Sequence, residues 1–129
     1  MPTASAVVAD MVELAERKIF GAGSAVGDMI LDDGAASLAD MAELELRYYL
    51  RLQVEDRPGV LESITHILAQ GDISIASLIQ KERDLQGGTV PLIIVTHEAR
   101  ERSMQQAVAA MSALDMVDDD VALIRMEEL

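Results

Sequence analysis

From Glu45 onward the chain alternates between two periods. Tyr48, Leu50, Leu52 and Val54 interleave with Arg51, Gln53 and Glu55, which is the period of a strand buried on one face. Pro58 suits a first helical turn. After it Val60, Leu61, Ile64, Ile67 and Leu68 recur at helical spacing as far as Gly71, a natural C′ residue. Ile73, Ile75 and Ile79 return to strand spacing and predict a second strand that runs to about Glu82. Asp84 to Gly88 supply a turn, and Thr89 to Thr96 a third strand with the apolar centre Leu92-Ile93-Ile94-Val95. Pro91 has no amide to give a ladder, so it must stand where none is needed. Met104, Ala107, Val108 and Met111 mark the inner side of a helix from Glu101 to Ala113. Asp118 to Asp120 are expected to break the chain before a last strand, Val121 to Met126.

The resulting order is βαββαβ. Two helices covering one face of a four-stranded antiparallel sheet bury these stripes most economically, which predicts an α+β, ferredoxin-like fold. The first and third strands are then central. Ile93, Val95 and Leu78 fall on the uncovered face in this reading, and exposed apolar side chains there suggest a second sheet or a partner subunit.

The first third of the chain is organised differently. Ala4 to Arg17 read as a helix, with Val8, Met11, Val12 and Ala15 in one stripe that a lone helix cannot bury. Gly21, Gly23, Gly27 and Gly34 then punctuate a weakly patterned stretch. Gly21-Ala22-Gly23 follows no strand and lacks the wider glycine spacing of a dinucleotide loop. The expected division is a helix over 1–18, a linker without fixed structure over 19–45, and a folded domain over 46–129.

Composition narrows the function. The net charge is −13 and both halves are acidic, which argues against nucleic acid or an anionic membrane as partner. Without cysteine there is no disulfide framework, thiolate nucleophile or thiolate metal site, in keeping with a reducing cytoplasm. No apolar run is long enough to span a membrane, and without a basic region followed by an apolar core at the N-terminus no secretory signal is expected.

The turn Asp56-Arg57-Pro58-Gly59 is the best candidate site. The amides of Gly59, Val60 and Leu61 fall in a first helical turn, lack intrahelical acceptors, and can receive a carboxylate at the positive helix end. Asp56 either caps the helix or faces an ammonium group. Asp72, just after Gly71, is either a turn residue or a second carboxylate brought to the Asp56 turn by a neighbouring subunit. His66 reads as a surface residue. His97 and Glu98 are the best enzymatic or metal-binding pair, but no third ligand follows at suitable spacing. Ser63, Ser74 and Ser77 have no evident base partner.

Glu55-Asp56-Arg57-Pro58-Gly59-Val60-Leu61, followed after one helix by Gly71-Asp72-Ile73-Ser74-Ile75, resembles an ACT domain. Tyr49-Leu50-Arg51-Leu52 and Val95-Thr96-His97-Glu98 resemble, more closely, the C-terminal regulatory region of bacterial homoserine dehydrogenases. Pro2-Thr3-Ala4-Ser5-Ala6-Val7-Val8-Ala9-Asp10 is similar to the helix that ends the catalytic portion of those enzymes. The resemblance implies a parent enzyme that interconverts homoserine and aspartate 4-semialdehyde with NAD(P), under feedback control by an amino acid, typically threonine. It also implies that this chain begins after the nucleotide-binding region and catalytic lysine. No cofactor, metal or dehydrogenase activity is therefore expected of these 129 residues. By the same resemblance the effector site comprises Asp56, Gly59, Val60, Leu61, Asp72 and Ile73, shared between the subunits of a homo-oligomer. A dimer through ACT sheets or strand edges is expected, with the catalytic region of the enzyme as a further partner. The alternatives are a structural dimerisation module without ligand and a small enzyme using His97 and Glu98.

Overall fold

The computed structural model describes residues 2–20, 37–81 and 88–127, without the side chains of Pro2 and Asp119. Two compact units divide the chain, and residues 38–127 form the larger. In the smaller unit, helix α1 (Pro2–Phe20) is three residues longer at its C-terminal end than the periodicity suggested. Val7, Val8, Met11, Leu14, Ile19 and Phe20 on it are exposed. Residues 21–36, most of the expected linker, lie outside the described residues.

The larger unit opens with a 3-10 turn (Met41–Glu43), whose Ala42 amide donates to the Asp40 side chain at 3.0 Å. Strands β1 (Glu45–Glu55), β2 (Ile75–Gln80), β3 (Thr89–Thr96) and β5 (Val117–Met126) form one antiparallel sheet. Its order is β2-β3-β1-β5, so β1 and β3 are central as the pattern predicted. The two-residue strand β4 (Ala99–Arg100) pairs with the start of β1. Helices α2 (Val60–Gln70) and α3 (Glu101–Ser112) complete the ferredoxin-like fold.

The core follows from parity. Tyr48, Leu50, Leu52 and Val54 of β1 and Val90, Leu92 and Ile94 of β3 are all buried. Val60, Ile64 and Leu68 of α2 meet them, as do Met104, Ala107 and Met111 of α3. Each such aliphatic side chain contributes about 1.5–3 kcal/mol by leaving water. Pro91 lies inside β3, where its carbonyl accepts from Lys81 at 3.4 Å. In an antiparallel strand the nitrogen and oxygen of one residue point to the same side. The missing amide therefore faces the chain just past the end of β2, where no ladder bond is required.

Three expectations need correction, each for a reason of register or helix geometry. Leu78 does not share the open face with Ile93 and Val95. Between Ile75↔Thr96 and Ser77↔Val95 the ladder slips by one residue, and an odd insertion inverts the faces beyond it. Leu78 therefore pairs with Ile94 on the helix side, and Ile79 takes the open side opposite Ile93. Asp118 to Asp120 do not interrupt the chain before β5 but lie within it, at a second register shift. Gly71 is the C-cap of α2, and Asp72, at φ 56°, takes the left-handed C′ position. The Asp72 amide donates to the Ala69 carbonyl (3.1 Å) and the Ile73 amide to that of Leu68 (3.0 Å), which is a Schellman closure.

Candidate functional site

Strand β1 ends at Glu55, and four residues carry the chain into α2. The Arg57 amide donates to the Glu55 carbonyl at 3.0 Å, which turns the chain sharply. Gly59 follows with φ +88°, in the region that costs an L side chain about 1–2 kcal/mol. A Cβ added at Gly59 would meet no atom within 4 Å, so glycine is required here for its backbone angle and not for space. Gly59, not Asp56, is the N-cap, and its carbonyl accepts the first helical bond, from the Ser63 amide at 3.0 Å. The Ser63 hydroxyl donates to the same oxygen at 3.1 Å. The first helical turn thus begins at Val60, one residue later than expected. The amides of Val60, Leu61 and Glu62 have no intrahelical acceptor and lie at the positive helix end.

A hollow of about 260 Å³ lies at this turn, lined by residues 54–61 and by Gln80 at the end of β2. Four of the expected site residues, Asp56, Gly59, Val60 and Leu61, line it together. Arg57 stands at the hollow with its Nε 2.7 Å from Glu55 Oε2, in a half-exposed pair. The chemistry on offer is amide donors, a guanidinium, carboxylates and one carboxamide, a set that suits a small zwitterion. Beyond Pro58 and Gly59 a broader depression of about 590 Å³ includes Glu62, Ser63, His66 and Met116. His66 is exposed there, 3.1 Å from the Gln70 carboxamide.

Asp72 and Ile73 lie at the other end of α2, about 16 Å along its axis for eleven residues. Their amides are committed to the helix closure, and the Ile73 side chain is buried. One copy of the chain does not bring them to the hollow. His97 and Glu98 are exposed after β3, and the His97 amide donates to the Ser74 carbonyl at 2.9 Å. Among the described residues no three His, Cys, Asp or Glu side chains cluster to hold a metal ion. No described helix is long and apolar enough to cross a membrane.

Gln80 is the lining residue that the sequence did not reveal. It reaches the hollow only because the bulge in β2 puts it opposite Leu92 on the helix side. Also unforeseen is a buried polar cluster at the far end of β1. Glu101 accepts there from the Tyr48 hydroxyl (2.5 Å), Gln105 Nε2 (2.9 Å) and Arg125 Nε (3.0 Å). At the exposed surface Arg100 and Arg102 pair with Glu43, and Arg100 also with Glu45.

Residues 48–115 match the ACT domain family. The chain belongs to it. Over 131 aligned residues this ACT chain is 39% identical to the homoserine dehydrogenase of Pseudomonas aeruginosa, covering 99% of the chain and 30% of that protein. The homoserine dehydrogenase of Neisseria gonorrhoeae is 38% identical over 132 residues, again with 30% of its length covered. The crystal structure of a homoserine dehydrogenase from Thiobacillus denitrificans is 37% identical, with a TM-score of 0.65, over 98% of this chain and 28% of that one. The ACT domain of a GTP pyrophosphokinase from Chlorobium tepidum, 15% identical with a TM-score of 0.51, shares the fold alone. The chain is thus homologous to the C-terminal ACT region of homoserine dehydrogenases and spans under a third of the length of those relatives.

Proposed function

We propose that this ACT domain is the regulatory, amino-acid-binding and assembly module of a cytoplasmic homoserine dehydrogenase, with threonine as effector. The parent enzyme would interconvert homoserine and aspartate 4-semialdehyde with NAD(P), and the module itself would catalyse nothing. The observation that carries this reading is the hollow at the left-handed Gly59 turn, where free helical amides and an arginine meet carboxylates. The amides of Val60 and Leu61 would receive the effector carboxylate. Glu55 or Asp56 would accept from its ammonium group, and Gln80 would reach its side-chain hydroxyl. Carboxylates around the hollow repel the ligand carboxylate, so the amides and Arg57 must outweigh them and the affinity is modest.

A second copy would complete the site. Strand β2 has neither charge nor proline from Ile75 to Gln80, and Ile79 on it is 52% exposed. Antiparallel pairing of two β2 edges would set Asp72 and Ile73 of one copy beside Gln80 of the other. The competing reading, assembly without a ligand, is favoured by the structural use of Asp72 as a helix closure. Calorimetric titration with L-threonine, and with serine, lysine and methionine for comparison, separates the two. Heat with threonine is expected at protein concentrations where a pair forms, and Gly59→Ala should weaken it while costing about 1 kcal/mol of stability. No heat from any of the four sinks effector sensing.

A further inference from the structure

The two edges of the sheet are chemically unequal. Beyond its one-residue bulge β2 offers Ser77 to Gln80 in regular register and uncharged, and among the described residues no strand pairs with its outer side. An edge of that kind is open to another strand. The opposite edge is β5, which among the described residues pairs only with β1. Its ladder runs Val54↔Val117 and Gln53↔Asp118, then resumes at Arg51↔Ala122. While β1 advances by two residues β5 advances by four, so two residues of β5 stand outside the ladder. They fall in the run Asp118-Asp119-Asp120-Val121, where Asp118 and Asp120 are exposed. An even insertion leaves the faces unchanged: Leu123 stays level with Leu50 and Ile124 with Tyr49. The insertion therefore displaces no core residue. Its effect is confined to the edge, where it offsets the outward amides and carbonyls in a stretch that carries exposed carboxylates at Asp118 and Asp120.

We infer that this acidic insertion closes the β5 edge to strand addition, so that copies join through β2 and assembly stops at a pair. The inference rests on the reading that β2 is the joining edge, and the experiment below separates the two. A copy with two open edges would extend a sheet without limit, since each addition brings a fresh edge. One open edge per copy gives a closed pair. Geometry and charge act together on β5. The offset denies an incoming strand a continuous row of partners. Aspartate also disfavours strand conformation, and charge in a chain of net −13 is screened only beyond about 10 Å at 0.1 M salt.

Removing Asp119 and Asp120 would turn the step of four into a step of two and restore a regular ladder. In sedimentation velocity the native chain is expected to stop at a pair. The deletion variant is expected to form species that grow beyond a pair as concentration rises. A folded deletion variant, by circular dichroism, that keeps the native size overturns the inference. Should the deletion unfold, the triple variant Asp118→Thr, Asp119→Thr and Asp120→Thr removes the charge and keeps the offset, so that growth supports the inference and native size overturns the part given to charge. Ile79→Lys tests the other edge. If it leaves the native pair intact, joining through β2 fails, while growth of the deletion variant still supports a closed β5.

Discussion

Glu101 is 3% exposed, and its carboxylate is held charged. Arg125, bonding through Nε and Nη2, is the main cause, and the Tyr48 hydroxyl and Gln105 add to it. Together they outweigh burial and bring the Glu101 carboxyl from 4.5 down to about 2. Burial, then the bond to Glu101, pushes the Tyr48 phenol well above its usual range. A depressed carboxylate stabilises the fold fully above its unfolded pKa and loses that contribution as pH falls through its folded one. Glu101→Gln should therefore lower stability by about 2 kcal/mol near neutrality, read by urea unfolding. The gap to the native chain should narrow between pH 4.5 and about 2. Parity placed Tyr48 on the buried face, since alternation needs only its neighbours. Its partners were not legible, because Glu101 is 53 residues away and Arg125 a further 24.

At the scale of single elements, the closure of α2 decides what Asp72 is for. A left-handed C′ residue is most cheaply glycine, so Asp72→Gly should raise stability by about 1 kcal/mol, whereas Asp72→Val should lower it. Thermal melts of both variants give the sign. An effector role for the Asp72 carboxylate would appear as weaker threonine binding in Asp72→Gly despite the higher melting point. The elements themselves were legible from their periods, and the limits of α2 from Pro58 and Gly71 to within two residues. The bulges in β2 and β5 were not. A bulge is a property of two strands, and neither Ala76 nor Asp119 carries a mark of it in its own strand. That is why parity alone puts Leu78 on the wrong face and the run Asp118 to Asp120 reads as a break. The hollow was half legible for the same reason: the turn residues are contiguous, while Gln80 arrives through the register.

At the scale of the molecule, every buried residue among those described belongs to the sheet-and-helix unit over 38–127. A chain beginning at Leu38 should accordingly unfold cooperatively with the same thermal midpoint as the full chain. A large drop in midpoint would show that α1 contributes to the unit's stability. Family membership was legible because the turn motif, the helix and the second strand recur in fixed order, which one copy of the sequence displays. Completion of the site by a second copy, as proposed above, was open only to the resemblance, since one copy holds Asp72 and Ile73 at the far end of α2. The sheet order also bears on how the chain is made. Beyond its first two residues, which pair with β4, the partners of β1 are β3 and β5, and β5 is the last strand in chain order. A ribosome adding about 5–20 residues per second takes roughly 4–14 s to travel from Glu55 to Met126. Throughout that interval the longest and most central strand has one side unpaired. A newborn chain on a crowded polysome is then most open to its neighbours along β1, and nascent-chain chaperones that shield extended apolar segments would act there.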